Sequence, residues 1–157
     1  MSSDTRFAEA AAALGHSFDG ELKVGGNYVG LLRDGDTVYV SGQVPRVGST
    51  VLVTGRVGEE VDLERARFAA KVCAMRALSL LQRELGTLDK VRQILKVTVY
   101  TQSAAQFTQQ SEVADGASAL LQSVLGDAGR HTRTSVGVYQ LPKNASVELD
   151  LVASVRS

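Results

Sequence analysis

Thr132-Arg-Thr-Ser-Val-Gly-Val-Tyr-Gln140 and Ala145-Ser-Val-Glu-Leu-Asp-Leu-Val-Ala-Ser-Val155, joined by Leu141-Pro-Lys-Asn144, decide the fold. Both runs alternate with a period of two, the mark of a strand with one buried face. In the second run Val147, Leu149, Leu151 and Ala153 share one parity, and Glu148 and Asp150 the other. The four-residue link is of turn-forming type, so the two runs predict an antiparallel hairpin. With Val136 and Val138 pointing inward, Arg133, Ser135, Gly137 and Tyr139 join Glu148 and Asp150 on one polar face. Gly137 then lies opposite Glu148, and Arg133 falls roughly 13 Å further along the ribbon.

Working outward, Val91–Thr101 alternates in the same way, with Leu95, Val97 and Val99 on one side and Lys96, Thr98 and Tyr100 on the other. Tyr28–Leu32 and Thr37–Ser41 flank an Asp34-Gly35 pair, a strong hairpin signal. Two helical stretches lie between these strands. Asp62 reads as the N-cap of a helix to about Leu85, with Ala66, Ala69, Cys73, Ala77, Leu80 and Leu81 in one stripe and Gly86 as its stop. Phe107–Leu125 repeats the spacing through Val113, Ala117, Leu120, Leu121 and Val124. A short first helix runs from an N-cap at Asp4 to Leu14, with Gly15 behind it, and Val44–Glu60 reads as a loop with one short strand at Thr50–Thr54. The order predicts an α+β fold: a mixed, mainly antiparallel sheet with two long helices on one face and a polar face left open.

The 157 residues, 44% of them hydrophobic, suit a single domain over 1–157, with 1–20 as a helical extension. Seventeen basic and seventeen acidic residues leave no net field for a nucleic-acid backbone or an anionic membrane. Cys73 is the lone cysteine and His16 and His131 are far apart, so neither a disulfide nor a metal site is expected, and Cys73 reads as a packing residue. No apolar run approaches the ~18 residues of a membrane span. The opening Met1-Ser-Ser-Asp-Thr-Arg-Phe7 lacks the charged-then-apolar order of a signal peptide, which points to the cytoplasm. Ser41 has no histidine motif or Gly-x-Ser-x-Gly elbow beside it, against a serine hydrolase. Parity alone leaves Arg133 and Glu148 open to two readings, as solvated strand residues or as a site. Association of copies across the open face would turn that surface into a cleft in which an arginine grips a carboxylate.

Val40-Ser-Gly-Gln-Val-Pro45, together with the span from Arg133 through Leu141-Pro142 to Val147-Glu148, resembles the reactive-intermediate deaminase (Rid, YjgF-like) family, also labelled endoribonuclease L-PSP. The arginine-to-Leu-Pro-to-Val-Glu spacing is the specific part. The resemblance runs from about Tyr28 to Ser154, and the helix before Gly20 is similar to the extension of a longer branch. It implies a chorismate-mutase-like fold, a homotrimer with clefts between subunits, and hydrolysis of amino-acid-derived enamines and imines to keto acid and ammonia without a cofactor. It implies that Arg133 binds the carboxylate of a small metabolite and that Glu148 handles water. Tyr28, Ser41, Gly42, Ser111 and Ser135 follow as substrate-binding positions. The chain departs from active deaminases at Ser135, commonly cysteine, at Ser111, commonly asparagine, and at Asn27, commonly proline. Those departures keep a second reading alongside, a non-catalytic module that binds a small carboxylate such as a keto acid. The family's older labels include RNA cleavage, for which this chain offers no basic stripe and no tryptophan.

Overall fold

Asp62 starts the longest helix by accepting a hydrogen bond from Arg65 N at 2.8 Å, and Gly86 ends it in the left-handed region at φ 83°. The structure, a computed structural model, describes residues 1–157. Three helices, α1 (Ser3–Leu14), α2 (Leu63–Leu85) and α3 (Gln110–Leu125), accompany seven strands: β1 (Leu31–Asp34), β2 (Thr37–Gln43), β3 (Arg46–Val47), β4 (Thr50–Val51), β5 (Val91–Gln102), β6 (Thr132–Val138) and β7 (Val147–Val155). Five strands form one sheet in the order β1-β2-β7-β5-β6, and β3 and β4 make a small separate hairpin. All pairings in the large sheet are antiparallel except that of β5 with β6.

The stripe on α2 explains how the helix lies so close to the sheet. Ala66, Ala69, Cys73, Ala77 and Leu81 are fully buried, and Cys73 Sγ sits 3.7 Å from Val147 O. Met75 and Leu78 are also sealed, each contributing roughly 1.5–3 kcal/mol over exposure. On α3, a Cβ at Gly116 would come within 2.7 Å of Arg67 O, so only glycine permits this approach of the two helices.

At the N-terminus the cap is Ser2, which accepts from Thr5 N at 3.1 Å, rather than Asp4. Asp4 is committed elsewhere: it accepts from Leu88 N at 3.0 Å, from Gln82 Nε2 at 2.8 Å and from the Thr87 hydroxyl. Phe7 is buried, and Arg6 Nε donates to Val124 O at the end of α3 at 2.7 Å, so α1 docks on both longer helices.

Several strand expectations are corrected. Strand β1 begins at Leu31, leaving Tyr28 and Val29 outside it, α3 begins at Gln110 rather than Phe107, and Val44–Glu60 holds two short strands instead of one. In β5 a register slip between Ile94 and Lys96 turns Ile94 inward and leaves Leu95 exposed. The largest correction concerns the C-terminal hairpin, which does not form. Strand β6 pairs with β5 alone, and β7 inserts between β2 and β5. The physical reason is α3: a helix between two strands gives the crossover that parallel neighbours require. Gln102 secures the link that carries the chain back, donating to Asn144 Oδ1 and accepting from Leu141 N, both at 2.7 Å. Lys143 and Asn144 turn that link at φ 61° and 58°.

Register also reverses the expected parity of β6. Tyr100 pairs with Glu148 on one side and Val136 on the other, so these three share the open face. Arg133 and Ser135 pair with the buried Val97 and Val99 and therefore face the helices. Both valines of Thr132–Val138 fall in one parity, with Arg133, Ser135 and Gly137 in the other, yet the arginine side is the one turned toward α3, where Asp115, Ser118 and Ser111 receive the guanidinium.

Candidate functional site

Between Val40 and Gln43 the pairing of β2 with β7 slips, and this bulge sets Gly42 directly against Glu148. A Cβ on Gly42 would overlap the Glu148 carboxylate, so any other residue here must displace that side chain. Next to it Ser41 donates from Oγ to Val29 O at 2.7 Å and from its backbone N to Gly30 O at 2.9 Å. The hydroxyl is thereby spent on holding the Tyr28 segment in place. Tyr28, Gly42 and Glu148 line one cavity of about 370 Å³, with Lys143 of the β6–β7 link at its edge.

The Glu148 carboxyl has no hydrogen-bond or ion-pair partner in the chain. Burial first, then the Asp150 charge two residues along, lifts its pKa above the ordinary carboxylate value. Asp150 itself accepts from Tyr100 Oη at 2.8 Å, and burial, followed by that bond, raises the tyrosine as well. A carboxyl with a raised pKa at the wall of a cavity is placed to take a proton from bound water and return it.

The same cavity holds a group that sequence reading missed. Arg76 of α2 is 2% exposed and lines it. Its Nε donates to Gln43 Oε1 at 3.0 Å, Nη1 to Arg46 O at 2.9 Å and Nη2 to Lys23 O at 3.2 Å. No carboxylate pairs with it, and burial pushes its pKa down. A signal for it did exist, because Ala69, Cys73, Arg76 and Leu80 follow helical spacing along the buried side, where an arginine needs a reason.

Arg133 sits in a different constellation at the β6 edge. Nη1 reaches Asp115 Oδ1 at 2.8 Å and Ser118 Oγ at 3.0 Å, while Nη2 reaches Ser111 Oγ at 2.8 Å and Ser111 O at 3.3 Å. His131 adds a bond from its ring to Ser118 Oγ at 2.8 Å. Ser111 and Arg133 are thus together, and Ser135 lies two residues along on the same side without a side-chain bond. The expected shared face is corrected: Arg133 turns toward α3 and Glu148 toward the open side. Within one chain the seven predicted positions fall into two groups, Tyr28, Ser41, Gly42 and Glu148 in one and Arg133, Ser111 and Ser135 in the other. No set of three His, Cys, Asp or Glu side chains is gathered to hold a metal. The Cys73 thiol is driven well above its ordinary pKa by complete burial and is chemically idle.

Comparison with known proteins follows these residues. The family described as Endoribonuclease L-PSP matches residues 19–155. Protein TCP17 of Trypanosoma cruzi is 40% identical over 132 residues, covering 83% of this chain and 82% of its own. Among solved structures, Atu1372 of Agrobacterium tumefaciens, of unknown function, is 36% identical with a TM-score of 0.87, covering 99% of this chain and 96% of its own. That coverage takes in α1. TdcF of E. coli, solved with bound serine, has a TM-score of 0.61 at 21% identity over 90% of this chain and 97% of its own, a likeness of fold.

Proposed function

Since this chain belongs to the endoribonuclease L-PSP family, we propose that it hydrolyses small enamine or imine intermediates of amino acids to keto acid and ammonia. The observation that carries the reading is Glu148, an unpartnered carboxyl of raised pKa beside Gly42 and Tyr28 in a cavity of about 370 Å³. An enamine first takes a proton at carbon and becomes the iminium. Water held by Glu148 then adds to the iminium carbon as its proton passes to the carboxylate. The carbinolamine collapses when that proton returns to nitrogen and its hydroxyl proton passes to the Glu148 carboxylate and on to solvent: the C–N bond breaks, ammonia leaves, and the carbonyl forms. A protonated imine is already electrophilic, so neither metal nor cofactor is invoked.

Arg133 enters this reading through a neighbouring copy. The open face exposes Leu32, Tyr39 and Val136, apolar area that a second subunit would cover. We read the assembly as a homotrimer in which the β6 edge of one copy closes the Glu148 cavity of the next, bringing a guanidinium to the substrate carboxylate. Residues 1–157 form one domain in this account, with 1–20 as its helical extension. No helix is long and apolar enough to cross a membrane, and a single buried free cysteine suits a cytoplasmic setting. Serine bound to TdcF supports a small carboxylate-bearing ligand for the fold.

The test is capture of an imine made by an amino-acid oxidase. Semicarbazone formation should fall when the protein is added, because hydrolysis competes for the imine; unchanged capture across several amino acids would overturn the reading. One observation favours a second reading, a carboxylate-binding module without turnover: both terminal nitrogens of Arg133 are already engaged, by Asp115, Ser118 and Ser111. Keto acids that stabilise the protein, with no hydrolysis, would select it.

A further inference from the structure

We propose that Arg76 and Arg46 form an anion site in the wall of the Glu148 cavity, and that the ligand is a small dianion whose second acidic group is a carboxylate or a phosphate. The proposal rests on the reading of that cavity as the ligand cleft, and not on turnover. Lys23, Arg46, Arg76 and Lys143 line the cavity against the single carboxylate of Glu148. A monocarboxylate would leave most of that positive charge uncompensated, whereas a dianion matches it far better.

Arg76 is the central observation. It is 2% exposed, with three protein bonds, all to neutral oxygens. One N–H on each of Nη1 and Nη2 has no protein acceptor. Arg46 adds a buried Nε with no partner at all. The two arginines also line a second cavity of about 220 Å³ with Glu21, which is exposed and makes no ion pair with either. Pinning the Lys23 and Arg46 carbonyls onto α2 is a structural task for Arg76. That task needs no charge, and it accounts neither for the orphaned Arg46 Nε nor for the gathering of cations around one cavity. Desolvating an unpaired guanidinium is unfavourable unless an anion joins it, and a planar fork is suited to a carboxylate or phosphate.

Titration calorimetry of the full-length protein with pyruvate, 2-oxoglutarate and inorganic phosphate tests the site. At least one dianion should bind about tenfold more tightly than pyruvate, as charge-assisted bonds to a desolvated guanidinium would give. A preference for 2-oxoglutarate names a second carboxylate; a preference for phosphate names a phosphoryl group. Arg76→Met, an apolar replacement of similar length, and Arg46→Gln, at a half-buried position, should each bring the dianion to within about twofold of pyruvate. Should Arg76→Met fail to fold by circular dichroism, Arg46→Gln decides. Equal affinity for all three probes, no binding, or a preference that survives in the folded variants overturns the proposal. Dianion preference without imine hydrolysis would keep this site and remove the hydrolase reading, and hydrolysis without the preference would do the reverse.

Discussion

Arg133 Nη1 and Asp115 Oδ1 stand 2.8 Å apart between β6 and α3, forming the only ion pair in the chain. An internal carboxylate therefore occupies the fork that a ligand carboxylate would use. Asp115 is the exposed partner, its side chain 55% accessible against 19% for Arg133, so it is the one free to yield. Asp115→Asn should strengthen pyruvate binding by up to about fivefold, the equivalent of ~1 kcal/mol for a solvent-facing pair. Arg133→Ala should abolish it. Calorimetry separates the cases: weaker binding in Asp115→Asn would mean that the aspartate orients the guanidinium instead of competing for it.

Gly42 and Glu148 give a sharper geometric prediction. A methyl group on Gly42 has no room beside the carboxylate, and the flexible glutamate is what must move. The φ of Gly42 is not in the left-handed region, so alanine is tolerated by the backbone. Gly42→Ala should thus fold normally and lose imine hydrolysis by roughly tenfold to a hundredfold, the scale of an ångström-level misplacement. Glu148→Gln should lose about a hundredfold or more through loss of the base. A fully active Gly42→Ala enzyme would remove Glu148 from the reaction.

The pH dependence follows from the raised pKa of Glu148, caused by burial and then by Asp150. The native state holds this proton to higher pH than the unfolded chain. Its stabilising effect is complete below the ordinary carboxylate range and disappears as pH rises through the folded pKa. Glu148→Gln should accordingly be more stable than wild type near neutral pH, with the advantage shrinking in acid, as urea titrations would record. Hydrolysis should climb with pH as the carboxylate forms. Asp150→Asn should move that climb to lower pH, and an unmoved profile would show that another group sets it.

What could be read from sequence tracks how local the determining physics is. Asp62 and Gly86 bracket α2 because capping is a contact between near neighbours, and Gly35, at φ 62°, closes the first hairpin for the same reason. Pairing of β6 depends on α3 delivering it to the far side of β5, a non-local event that the turn-like Leu141–Asn144 obscured. The family resemblance led to Arg133 and Glu148 as residues, while the assumption that valines face the core put them on one surface. Val136 instead faces outward, 37% exposed. Helical spacing places Arg76 among packing residues, but its burial without a counter-ion is visible only in three dimensions.

Asp4 supplies the prediction for the N-terminal helix. Burial works against its charge, yet hydrogen bonds from Leu88 N, the Thr87 hydroxyl and Gln82 outweigh that and hold its pKa below the ordinary aspartate value. The contribution is therefore present above that value and is lost as pH falls through the folded pKa. One side chain ties α1 to the turn after α2, so its removal strands a buried amide as well as a hydroxyl. Asp4→Ala should destabilise the protein by about 1–3 kcal/mol in urea titrations at neutral pH, the range for orphaned buried donors. The deficit should narrow in acid, where wild type loses the same bonds. Amide exchange should quicken across Ser3–Leu14 while α2 stays protected, because the helix is then held only by its packing through Phe7, Ala10, Ala11 and Leu14 and by the bonds of Arg6 and of Ser3 N to Asp89. Uniform quickening over the whole chain would instead mean that α1 is part of the global folding unit, making this extension integral to the fold and not an appendage.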